Sequence, residues 1–108
     1  MKKEYINKVE IQGKIGTIRT NKINGEKVAN FSIMTEMLIK LANKQIIAET
    51  TWHNAVVWEG AKIDPAIFDD AKGKIVHLSG RLRNSRYTAV DGTERTFTEI
   101  MVYELKMI

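Results

Sequence analysis

A chain of 108 residues is long enough for one domain around one core, and its 44% hydrophobic and 28% charged residues are ordinary for a globular protein. Seventeen Lys and Arg against thirteen Asp and Glu give a net charge of +4 and a pI near 9.4, a balance that admits a polyanionic partner. With no cysteine, a disulfide framework and a thiolate metal site are both excluded. The basic start, MKKEYINKVEIQGKIG, has no continuous apolar segment and does not read as a signal peptide. No apolar run approaches the roughly 20 residues that span a bilayer. These features predict a soluble, cytoplasmic protein.

Hydrophobic alternation begins at once. Val9, Ile11, Gly13 and Ile15 fall on one side, with Lys8, Glu10, Gln12 and Lys14 opposite, which predicts a half-buried strand. Gly13 and Gly16 suggest a bulge or sharp bend within it. Asn24-Gly25 marks a hairpin turn. A second strand follows in VANFSIMTEML, with Ala29, Phe31 and Ile33 sharing a face, and IKLANKQ reads as a loop or hairpin tip. The third strand is IIAETTWHNAVVWE. DPAIFDDAKG then carries a helix signal: Asp64 as cap, Pro65 at the first position, and an apolar stripe of Ile63, Ile67 and Ala71. Lys72 would suit the C-terminal end of that helix and Gly73 would close it. KIVHLSGRLR alternates again, placing Val76, Leu78, Gly80 and Leu82 together. A last hairpin turns at Asp91-Gly92 and returns to the C-terminus.

Three strands, one short helix and two more strands make an all-β fold. The helix between the third and fourth strands favours a five-stranded OB-fold, a Greek-key barrel forming a single domain over residues 1–108, above a half-open sandwich.

TTWHNAVVWEG contains both tryptophans, and a strand would set Trp52, Asn54, Val56 and Trp58 on one face and His53, Ala55 and Val57 on the other. Packing Ala55 and Val57 inward leaves two indoles and an amide pointing out. In GRLRNSRY, alternation puts Arg81 and Arg83 on one face, and Arg86 adjoins Tyr87, an interleaving of cations with an aromatic that suits a nucleic-acid groove. Lys8, Lys14, Arg19, Lys62, Lys72 and Arg95 are weaker phosphate-contact candidates. Phe31 and Phe97 read as packing residues, and the five methionines as core filling or interface.

Together these segments resemble the bacterial-type single-stranded DNA-binding protein family. NKVEIQGKIG (Asn7–Gly16) is similar to its N-K-V-x-hydrophobic-x-G-x-hydrophobic-G start. VANFSIMTE (Val28–Glu36) is similar to its second strand, and TTWHNAVVWEG to its T-x-W-H-x-V-V-aromatic-x-G centre. KGKIVHLSGRLRNSRYTAVDGTERTFTEIMV (Lys72–Val102) resembles the remainder, including G-x-L-R, the aromatic after it and the D-G turn. The resemblance implies sequence-independent binding and protection of single-stranded DNA in replication, recombination and repair. It makes Trp52, Trp58 and Tyr87 base-stacking residues, gives His53 a subunit contact, and implies a homotetramer built as a dimer of dimers. Two departures stand out. A further stacking Trp expected beyond the second strand is replaced by EMLIKL, where Leu38 or a neighbour supplies only apolar contact. The chain also ends at VYELKMI, without the flexible linker and acidic tip of family members, so partners recruited through such a tail are not expected.

Catalysis finds little support. His53 and His77 lie on different strands without metal-ligand spacing, AKGKIV lacks the spacing of a phosphate loop, and Ser79 and Ser85 have no recognisable base. No enzymatic activity, cofactor or metal is expected. Two alternatives remain open: an OB-fold primosome-type accessory subunit whose main ligand is protein, and a binder of single-stranded RNA.

Overall fold

A computed structural model describes residues 4–108. The first three residues, part of the basic start weighed as a leader, lie outside the described residues. Five strands follow in order: β1 (Val9–Ile23), β2 (Glu26–Lys40), β3 (Ile46–Trp58), β4 (Ile75–Thr88) and β5 (Glu94–Met107). They close in the order β1-β2-β3-β5-β4, which is the OB-fold barrel and excludes the half-open sandwich.

β1 closes one side by serving two neighbours. Its first half pairs with β4, from Val9 opposite Gly80 to Lys14 opposite Ile75. Its second half pairs with β2, and the register shifts between Ile15 and Ile18. That bulge takes in Gly16, as the glycine pattern suggested, and it bends the strand from one partner toward the other. Gly13 is needed for closeness, because a Cβ there would collide with the Met34 carbonyl. The other side closes through a short parallel pairing, Ala55–Val57 of β3 against Ile100–Val102 of β5.

The turns follow their local chemistry. Asn24 and Gly25 both have positive φ, 52° and 83°, joining Ile23 to Glu26 through two residues. At the β4–β5 turn, Asp91 Oδ1 accepts from the Thr93 N–H and hydroxyl, which holds the Asp91 carboxyl below its ordinary value.

Alternation sorts the core as expected. Ile11, Ile15, Ala29, Phe31, Ile33, Ala55, Val57, Val76 and Leu78 are buried together with Ile100, Val102 and Leu105. Leu82 keeps the expected face, opposite buried Ile100, but is exposed, because from there β4 and β5 run on as a two-stranded ribbon beyond the barrel. The β2–β3 hairpin projects likewise, and its residues 41–45 form the tip.

The helix expected in DPAIFDDAKG shrinks to a 3-10 turn, Pro65–Phe68. Asp64 does cap it, accepting from the Ala66 N–H at 3.0 Å. Propagation stops at Asp69 and Asp70, the latter at φ 53°, so Lys72 has no helix end to complement. The apolar stripe survives without the helix: Ile63, Ile67 and Ala71 are all buried in the core cluster. Ile63 forms a bridge to Leu105, and Ile67 is fully enclosed. Ile67→Ala should therefore lower unfolding stability by about 2–5 kcal/mol in urea denaturation. A loss under about 0.5 kcal/mol would mean that this segment does not complete the core.

Candidate nucleic-acid interface

The pairing of β2 with β3 runs unbroken from Val28 opposite Trp58 to Lys40 opposite Ile46. Directly paired residues share a face, so the inward set Phe31 and Ile33 fixes Ala55 and His53 on that side. Trp52, Asn54, Val56 and Trp58 consequently lie outward, opposite Met34, Ser32, Asn30 and Val28. Trp52 is 57% exposed, whereas Trp58 is only half-buried beside buried Val28 and Val56. Of the two indoles, Trp52 thus offers the more open ring face.

Gly16 makes room for Trp52. A Cβ at Gly16 would collide with the Trp52 ring carbons Cζ3 and Cη2, so the indole reaches across the Ser32 row to lie against the β1 backbone. The β1 bulge beside it is tied down from β2: Thr17 N–H donates to Ser32 Oγ at 3.0 Å, and the two hydroxyls lie 3.0 Å apart.

An open groove of about 400 Å³ crosses this surface. It is lined by Thr17, Ile18 and Arg19 of β1, Asn30, Phe31 and Ser32 of β2, Asn54 and Ala55 of β3, and Phe97 and Glu99 of β5. Arg83 and Ser85 sit across from Glu99 and Phe97 in the β4–β5 register. Tyr87 packs its ring on Phe97, with centroids 5.8 Å apart and planes tilted by 60°. Phe97 is itself 39% exposed, so it is a groove wall and not the simple packing residue its sequence context suggested.

The expected cations divide. Lys14 pairs with Met34, which pairs with Trp52, so it belongs to the tryptophan row. Arg81 is exposed opposite Met101, next to Val56 across the sheet. Arg83 is not a free phosphate ligand: its Nε donates to Glu99 Oε1 at 2.8 Å, and the Ser85 hydroxyl donates to the same oxygen at 2.6 Å. Arg86 pairs with Thr96 and alternates with Tyr87, which puts it on the reverse side of the ribbon. Lys8 lies elsewhere, in a shallow cleft with Glu10, His77, Ser79, Glu104 and Lys106. Lys62 sits in the loop after β3, where its carbonyl accepts from Leu105. Lys8 and Lys62 are therefore not brought to the groove. Arg19, ranked among the weaker candidates, does line it. His53 is half-buried with Nε2 2.9 Å from Thr35 Oγ1.

Sequence reasoning missed Thr17, Asn30, Ser32, Phe97 and Glu99. The polar residues Asn30 and Ser32 alternate with Ala29, Phe31 and Ile33, so they were legible as an outward row, but only the β1–β2–β3 register sets them beside Trp52.

An exposed indole on a face shared with Lys14 and Arg19, and with amides that make no side-chain hydrogen bond among the described residues, is the arrangement that a flexible, unpaired polyanion with flat bases would use. The comparisons with known proteins agree on the class. The single-strand binding protein family model matches residues 6–108, and the chain belongs to that family. It is 35% identical over 106 residues to a single-stranded DNA-binding protein of Neisseria meningitidis, an alignment covering 95% of this chain and 60% of the relative. A Xanthomonas axonopodis single-stranded DNA-binding protein is 31% identical over 105 residues, with 95% and 58% covered. The chain thus spans about 60% of the length of these curated relatives. Among solved structures, a Plasmodium falciparum SSB in complex with ssDNA superposes with a TM-score of 0.75 at 26% identity, covering 100% of this chain and 99% of that one. A Thermus aquaticus single-stranded DNA binding protein gives 0.76 at 13% identity, covering 95% and 50%, and supports the fold alone.

The Gly16–Trp52 contact is open to a direct check. In a Trp58→Phe background, Gly16→Ala should displace the remaining indole, shifting its emission to the red and raising its quenching by acrylamide. Because Gly16 has no positive φ and an added Cβ would first meet side-chain atoms of exposed Trp52 and of Ser32, stability should change by less than about 1 kcal/mol. Unchanged emission and quenching would show that the ring does not rest on Gly16.

Proposed function

We propose that this chain binds single-stranded DNA without sequence dependence, by stacking bases on Trp52, Trp58 and Tyr87 and holding phosphates with Lys14, Arg19 and Arg81. The observation that carries this reading is the open Trp52 ring beside a groove lined by Arg19, Asn30 and Asn54. Family membership supports it, as does the likeness to a Plasmodium falciparum protein whose structure is described as a complex with ssDNA. Stacking contributes roughly 1–3 kcal/mol per base, and every base has a π-face. Duplex DNA hides those faces and should bind poorly. The activity is binding without chemistry, serving replication, recombination and repair in the cytoplasm by shielding strands from reannealing and nucleases.

Titration with poly(dT) should quench tryptophan emission strongly, and affinity should fall steeply with salt as counterions are released. The Trp52→Ala/Trp58→Ala pair should lose about tenfold or more in affinity while keeping the barrel's circular dichroism. Arg19→Ala should shallow the salt slope by about 0.7. Absence of quenching by poly(dT) would reject strand binding and favour the accessory-subunit reading. Tighter binding of an RNA of equal length would move the ligand class to RNA, since stacking alone does not separate the two.

The assembly we infer is a homotetramer, a dimer of dimers, with His53 near a subunit contact. Sedimentation equilibrium should return four times the 12.3 kDa chain mass. A monomer at micromolar concentration would reject this assembly.

A further inference from the structure

Glu99 is the one buried charged residue among the described residues, at 7% exposure, yet it lines the groove proposed to receive a polyanion. A carboxylate repels phosphate, so its place there calls for a reason. The Arg83 ion pair neutralises the charge, but Arg83 and Ser85 both converge on the same oxygen, Oε1, and leave Oε2 without a side-chain hydrogen bond among the described residues. The carboxylate is held in one orientation by its back side, while the residue still contributes to the groove surface.

What surrounds it is built for a base edge. Phe97, two residues earlier on β5, forms a partly exposed aromatic wall, and Asn30 and Asn54 offer amides that make no side-chain hydrogen bond among the described residues. The Thr17 and Ser32 hydroxyls are already tied to each other. Arg19 lines the same groove from β1, where it can hold phosphate away from the carboxylate. A carboxylate accepts hydrogen bonds and cannot donate them. Cytosine presents its N4 amino group as a donor, adenine its N6 and guanine its N2, whereas thymine and uracil have no exocyclic amine and offer only a ring N3–H set between two carbonyls that a carboxylate opposes.

We propose that this groove is a base-edge subsite in which Glu99 accepts from the exocyclic amine of a base, giving a mild preference for amine-bearing bases over thymine and uracil to an otherwise indifferent binder. Arg83 and Ser85 are positioning residues that aim the carboxylate. The inference rests on the strand-binding reading above and adds to it a selectivity that stacking alone does not produce.

The test compares dC and dU oligonucleotides of equal length, which differ at this edge in the N4 amine against the O4 carbonyl and in N3, an acceptor in cytosine and an N–H in uracil. Wild type should prefer dC by about fivefold, the low end of the discrimination that one good edge contact provides. In Glu99→Gln the amide can present either a carbonyl or an amine, so the dC:dU ratio should fall toward one. The ratio is the readout because releasing Arg83 changes phosphate affinity for both oligonucleotides alike, and a merely structural Glu99 would leave the ratio fixed. An unchanged ratio in Glu99→Gln, or no dC preference in wild type, overturns the subsite while leaving strand binding intact. Should Glu99→Gln fail to fold, wild type with dC oligonucleotides carrying N4,N4-dimethylcytosine decides instead: the preference over dU should vanish, with retention overturning the proposal. Failure of wild type to bind either oligonucleotide would defeat the strand-binding reading itself, and this inference with it.

Discussion

The pleat of β3 governs everything on the proposed working surface. Ala55 and Val57 are locked into the core against Phe31, Ile100 and Val102, and their neighbours must therefore point away from it. A slip of one residue in the β2–β3 register would bury Trp52 and Asn54 and expose the aliphatic pair, so the cost of unburying the core is what holds the indoles outward. The long unbroken pairing with β2 makes that register hard to change. Gly16 contributes the one remaining condition, a flat patch of β1 backbone against which the Trp52 ring can lie.

Around that ring the charges are arranged, not merely abundant. Lys14, Arg19 and Arg81 stand on the β1–β2–β3–β5–β4 outer surface, while Lys8 lies in a separate cleft whose lining mixes two glutamates with two lysines and His77. Arg83 is spent on Glu99, and removing Arg83 would leave a poorly solvated carboxylate behind. Net charge alone would have counted all these cations equally. Geometry separates those that can follow a phosphate backbone past the stacking rings from those that cannot.

Much of this was legible in the sequence because it depends on period-two alternation and turn chemistry. The five strands, the Asn24-Gly25 and Asp91-Gly92 turns, the inward Ala55 and Val57 and the outward Trp52 all follow from local pattern. Barrel closure adds what local pattern lacks. The capped helix at Asp64 and Pro65 was correctly started but ended after one turn, since Asp70 adopts a left-handed backbone that no propensity forecast. Arg83, Arg86 and Glu99 illustrate the harder case. Whether a charged residue faces the groove, its reverse side or a buried partner is set by the β4–β5 register and by what β3 brings alongside, and neither can be read from one strand. The apolar β2–β3 arm is similar: Leu38 was expected to supply apolar contact where an aromatic is missing, and it is 71% exposed on a projecting hairpin.

Photocrosslinking a bromodeoxyuridine-substituted strand to the protein, then mapping the adducts by mass spectrometry, interrogates the outward face of β3 most directly. Adducts concentrated on Trp52, with Phe97 or Tyr87 beside it, are what this account predicts. Adducts confined to the Lys8–His77 cleft or to the far side of the β4–β5 ribbon, with Trp52 unmodified, would contradict it.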